Sequence, residues 1–117
     1  PYAMLLAHEM VHVWQWQNRD LTGYAPFRAA AEQVRSDDPY LFEFDESRSF
    51  LDYGYEQQGA IMEEFVCCRA LDPGGARTER LYGMLREVFP GIARQSPVPS
   101  DGVWLPWEGT EPQGICS

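Results

Sequence analysis

The stretch Ala7-His8-Glu9-Met10-Val11-His12-Val13-Trp14-Gln15 decides how this chain is read. His8 and His12 stand four residues apart, one turn along the same helical face, so both imidazoles can reach one metal ion. Glu9 is turned about 100° from His8. Its carboxylate would lie beside such an ion, placed to take a proton from an activated water rather than to ligate. The chain has 2 histidines in all, and both fall in this motif.

The flanks add weight to a short motif. From Pro1 to Gln17 the one residue among Asp, Glu, Lys and Arg is Glu9, with Leu5, Leu6, Ala7, Met10, Val11, Val13 and Trp14 around it. On a 3.6-residue period Ala3, Ala7, Met10 and Trp14 cover one side, and Leu5, His8, His12 and Trp16 the other. A helix apolar nearly all round is expected to be buried on several sides. Two histidines and a glutamate in such a helix need polar partners, because burying them unsatisfied is costly. A metal ion satisfies all three.

The third ligand narrows the class. A metzincin would carry a glycine at position 15 and a histidine at position 18, where this chain has Gln15 and Asn18. With no further histidine, the remaining ligand is a carboxylate or a thiolate. The segment from Tyr53 to about Leu71 reads as a second helix, with Asp52 as N-cap and Asp72-Pro73-Gly74-Gly75 as its stop. Glu56, Ala60, Glu63 and Cys67 share one face of it. Gly59 and Ala60 are small enough to let that face approach the first helix. Glu56 is the leading candidate. Glu63 is the rival, or an outer acceptor for a ligand histidine's second ring N–H. Cys67 is also on that face, though a thiolate is an unusual third ligand in a peptidase. Glu64 joins Glu56 and Glu63 in the alternative of a plain solvated stripe.

The blocks Ala7-His8-Glu9-Met10-Val11-His12-Val13-Trp14-Gln15 and Tyr55-Glu56-Gln57-Gln58-Gly59-Ala60-Ile61 together resemble the Vgr-related proteins. These are bacterial zincin-like metallopeptidases inferred from sequence and often associated with type VI secretion or phage-tail-like systems. The resemblance runs from Pro1 to about Pro90. It implies zinc ligation by His8, His12 and Glu56, with Glu56 as the gluzincin-type third ligand, and catalysis by Glu9. The resembling proteins carry a segment before the motif that supplies strands and an edge for substrate. This chain starts seven residues before His8, so a fragment or a natural truncation is expected, and the segment after about Arg94 inherits nothing from the resemblance.

Charge and composition bound the partners. The 117-residue chain has 18 acidic residues against 9 basic ones, all arginine, for a net charge of −9. Such a chain is a poor binder of nucleic acid or anionic membrane. A peptide or protein substrate remains, together with a place in a secretion or tail-like assembly. Hydrophobic residues make up 44%, enough for one modest core. No run suggests a transmembrane helix or a signal peptide. The 3 cysteines, two of them adjacent, read by default as free thiols in a reducing, cytoplasmic setting, with a bridge from Cys116 to Cys67 or Cys68 as the alternative.

The organisation is mainly α: a His-Glu-x-x-His helix packed on a second, ligand-bearing helix, with little or no sheet. Residues 1–95 form the domain and 96–117 a Pro/Gly-rich tail. Asn18 to Gly23 reads as a polar turn, and Pro26 to about Arg35 as a short helix broken by Ser36-Asp37-Asp38-Pro39. Tyr40-Leu41-Phe42-Glu43-Phe44 has strand character, followed by a turn at Asp45-Glu46-Ser47. Ala76 to Phe89 is an amphipathic helix with Leu81, Met84, Leu85 and Val88 inward. Trp104 and Trp107 are expected to pack back on the domain or to mark a partner contact.

The expected chemistry is zinc-assisted hydrolysis of a peptide bond, with Glu9 as general base and then acid. Tyr40, Tyr53 and Tyr55 are candidate donors to the oxyanion. The alternatives are a catalytically idle zinc-binding structural or docking domain and a metal-free helical interaction module.

Overall fold

The computed structural model describes residues 2–35, 45, 47–97 and 116, the side chains of residues 2 and 32–35 excepted. Among these residues are five α-helices and one 3-10 turn: α1 Tyr2–Gln17, α2 Arg19–Thr22, α3 Pro26–Arg35, the 3-10 turn Phe50–Asp52, α4 Tyr55–Leu71 and α5 Ala76–Arg86. Among the described residues there is no strand, and the fold is mainly α. The expected strand-like segment 40–44, the break at 36–39 and both C-terminal tryptophans lie outside the described residues.

α1 and α4 form the principal helix pair. The buried stripe of α1 is Met4, His8, Val11 and Gln15, the i, i+4, i+7, i+11 row of a helix packed along one partner. Leu5, Leu6, Met10, Val13 and Trp16 are exposed. The sequence expectation of burial on several sides is therefore corrected. Among the described residues α4 covers that stripe and Phe50 and Phe89 meet Trp14, while the rest of the apolar surface of α1 stays open.

The main core lies along α4, where Ile61, Phe65 and Cys68 meet Val11, Phe50, Tyr53, Leu81, Met84 and Leu85. Trp14, Phe50 and Phe89 close one end of it, with ring centroids 4.7 Å apart for Trp14 and Phe89 and 5.6 Å for Phe50 and Phe89. Tilted aromatic pairs at this separation add to the area they bury. Arg77 on α5 donates twice to one Glu64 carboxylate oxygen on α4, at 3.1 and 2.8 Å.

Three boundaries differ from the sequence reading. The polar turn after α1 is the one-turn helix α2, ended by Gly23 at φ +70° with its N–H on the Arg19 carbonyl, a left-handed C-cap that favours glycine. Asp52 does not cap α4. Its carboxylate accepts from the Ser49 N–H at 2.8 Å and caps the 3-10 turn instead. α4 starts two residues later, with Gly54 as N-cap and the Gln57 side chain accepting the Gly54 N–H at 2.9 Å. α5 ends at Arg86, and Val88 and Phe89 reach the core from the following turns.

The adjacent cysteines part company because successive helical residues point about 100° apart. Cys67 faces α1 and packs with Met4 and Val66. Cys68 faces the α5 side and is disulfide-bonded to Cys116. This corrects the default reading of three free thiols. Gly75 is buried beside the bridge, where a Cβ would collide with the Cys116 carbonyl. Burial pushes the Cys67 thiol up to about 11, so it is an inert core residue.

Peptide mapping should find Cys68 linked to Cys116 and Cys67 alkylated only after unfolding; a Cys67–Cys116 link would refute the pairing. The bridge spans 48 residues. Its reduction should lower the unfolding free energy by about 2–4 kcal/mol, read as an earlier denaturant midpoint.

Candidate metal centre

A histidine on the buried stripe of α1 needs space on α4, and a glycine makes that space. A Cβ on Gly59 would fall 2.8 Å from Cε1 and Nε2 of His8 and 3.0 Å from Cδ2. The His8 ring therefore lies against bare backbone, closer than any other residue would let it. The ring is 5% exposed, and carboxylates flank both its nitrogens. Nε2 is 3.2 Å from Glu56 Oε2, and Nδ1 is 3.3 Å from Glu63 Oε1.

One turn on, His12 Nε2 is 3.2 Å from the other Glu56 oxygen, Oε1. Glu56 thus bridges the two imidazoles. His8, His12 and Glu56 offer ligand atoms within 4.8 Å of one another, a grouping that could hold a metal ion. Position separates the two carboxylates that spacing left open. Glu56 faces both histidines, whereas Glu63 sits behind His8, with Oε1 3.3 Å from the second ring nitrogen. A carboxylate in that outer place would orient the imidazole and raise its basicity. Cys67 lies in a separate apolar cluster and takes no part.

The donor set suits a divalent transition ion. Two imidazoles and one carboxylate leave a fourth position open, as in catalytic zinc sites. The three candidate ligands, with Glu9, Leu5, Ala60 and Glu63, line a cleft of about 480 Å³. Glu9 is exposed on its rim, one residue round the helix from His8. Of the candidate oxyanion donors, Tyr53 is buried in the core, with its hydroxyl accepting the Asp45 N–H at 3.1 Å. The Tyr55 hydroxyl donates to the Gly23 carbonyl at 2.7 Å. Neither lines the cleft, and Tyr40 lies outside the described residues.

Sequence reasoning missed two residues that complete the centre. Gln15 is fully buried, and its Oε1 is 2.9 Å from His12 Nδ1. Its amide nitrogen donates to the Tyr55 carbonyl at 3.0 Å and to Gln58 Oε1 at 2.9 Å. Gln58 in turn donates to the Tyr53 carbonyl at 2.9 Å. The available signal was Gln15 falling on the row of Met4, His8 and Val11, where a polar side chain needs a buried partner.

Protein-family models, curated proteins and solved structures contain no match to this chain.

Two expectations follow from the geometry. Gly59→Ala gains helix propensity of about 1 kcal/mol but displaces the His8 ring. Zinc affinity, measured by competition with a chromophoric chelator, should fall by about 10–100-fold while the helical circular dichroism is kept. The Glu63 carboxylate beside Nδ1 raises the His8 pKa above 6.5, with burial opposing and Glu56 adding to the rise. Metal-free protein should therefore hold this stabilisation in full below pH 6.5 and lose it as pH rises through the elevated folded value. Thermal melts of wild type and Glu63→Gln across that range should converge at high pH.

Proposed function

We propose that the chain forms a zinc-dependent peptidase centre of the gluzincin type, with His8, His12 and Glu56 as ligands and Glu9 as general base. The observation that carries this reading is the convergence of the three ligands' donor atoms within 4.8 Å, beside a cleft that Glu9 also lines. A metal site alone has no use for Glu9 at that place. The resemblance of the two sequence blocks to the Vgr-related family points the same way.

A bound zinc ion would lower the pKa of a water and polarise the scissile carbonyl. The chain's own residues do the rest. Glu9 accepts the proton of the attacking water as the oxygen bonds to the carbonyl carbon. It then delivers that proton to the amine nitrogen as the C–N bond breaks. Glu63 holds the His8 ring in line, and Leu5 and Ala60 give the cleft apolar walls for the substrate chain. The substrate class is a peptide or protein.

Elemental mass spectrometry of protein dialysed without chelator should find about one zinc per chain, lost in His8→Ala. Glu9→Gln should keep the zinc and lower hydrolysis of a fluorogenic peptide library by about 10²–10⁴-fold. Zinc near zero, with no stabilisation on adding it, would sink the proposal. Zinc retained with no hydrolysis by either form would leave a metal-holding domain without catalysis.

A further inference from the structure

The two glutamines beside the centre form a hydrogen-bond chain whose direction can be read from its ends. A backbone carbonyl only accepts. Gln58 meets the Tyr53 carbonyl at 2.9 Å, so the group facing it is the amide nitrogen, and Gln58 Oε1 is left as an acceptor. Gln15 meets both that oxygen, at 2.9 Å, and the Tyr55 carbonyl, at 3.0 Å. Two acceptors on one side require its amide nitrogen there. Reversing either glutamine would set oxygen against oxygen in a fully or almost fully buried place, since Gln15 is 0% and Gln58 1% exposed. Gln15 Oε1 is then the atom that faces His12 Nδ1 at 2.9 Å. An oxygen acceptor there requires a proton on Nδ1, and the lone pair of the neutral ring falls on Nε2, the nitrogen that faces Glu56.

We infer that Gln15, held by Gln58 and by the Tyr53 and Tyr55 carbonyls, is a positioning residue that fixes His12 with Nδ1 protonated and Nε2 free to ligate. This rests on the metal-site reading but adds to it. The two carbonyls belong to the segment that leads into α4 and carries Glu56, so one chain of bonds ties the orientation of a ligand on α1 to the start of the helix that supplies another. The two histidines are therefore held differently, His8 by a carboxylate and His12 by a neutral amide. Gln15 touches neither substrate nor metal, and its effect runs through His12.

The test reads the ring directly. Long-range ¹H–¹⁵N spectra of metal-free wild type should show His12 carrying a proton on Nδ1. Gln15→Met, which keeps the length and apolar bulk but has no acceptor, should lose that preference. It should also bind zinc about 10–100-fold more weakly. Gln58→Met, which leaves the Tyr55 bond to Gln15 in place, should lie between. An Nδ1 without its proton in wild-type His12 overturns the inference even if Gln15→Met fails to fold. Equal zinc affinity in wild type and a folded Gln15→Met overturns it as well. Absence of zinc binding by wild type would instead overturn the metal-site reading; the ring spectra, recorded without metal, would still uphold the glutamine chain if they show Nδ1–H in wild type.

Discussion

The structure depends on how closely α1 and α4 approach at Gly59. Helices joined by ordinary side chains stand apart by the bulk of those chains. Here the His8 ring occupies the space a Cβ would fill, and that one close contact sets where the rest of each helix meets the other. Toward the start of α1, Met4 meets Val66 and Cys67. Toward its end, Gln15 reaches Gln58 and the Tyr55 carbonyl. The approach brings Glu56 between the two imidazoles, although 48 residues separate it from His8. Packing and chemistry therefore share the same residues.

Support for the pair comes from outside it. α5 and the turns after it cover the far side of α4, where Phe65, Leu81 and Leu85 are fully buried, while the Cys68–Cys116 bridge ties a distant part of the chain to the same surface. Trp14 and Phe89 join α1 to the end of this layer. Among the described residues α4 is thus covered along two sides, and α1 along α4 and at Trp14. The exposed Leu6, Met10 and Val13 record that difference.

What the sequence disclosed and what it hid divide along physical lines. His8, Glu9 and His12 were legible because ligand spacing on a helix is a local property. The helices themselves followed from periodicity and from strong stops such as Asp72-Pro73-Gly74-Gly75. Glu56 and Glu63 were both visible, but choosing between them needed the relative placement of two helices, which no local pattern contains. Gln15 and Gln58 were hidden for the same reason, because each acquires meaning only through the other. They nevertheless fall in the two blocks that carried the family resemblance, and the bond between them physically joins those blocks. The burial of α1 was overestimated because hydrophobicity states what a surface would gain from being covered, not whether a covering element exists. The cysteines were misread since an odd count fixes no pairing.

The arrangement of charge around His8 and His12 has a further consequence. Glu56 and Glu63 together place two formal negative charges against this pair of rings. A divalent cation among them gives a neutral cluster, and so do two protons, one on each imidazole. Charge left unbalanced beside the buried His8 and Glu56 is costly, so a dication and a pair of protons would compete for one place. A ligating nitrogen must give up its proton, so metal binding and acidity would oppose each other. By the same count a monovalent ion would leave the cluster of rings and carboxylates negative, and a trivalent ion would leave it positive. A preference for charge would then precede any that coordination geometry sets.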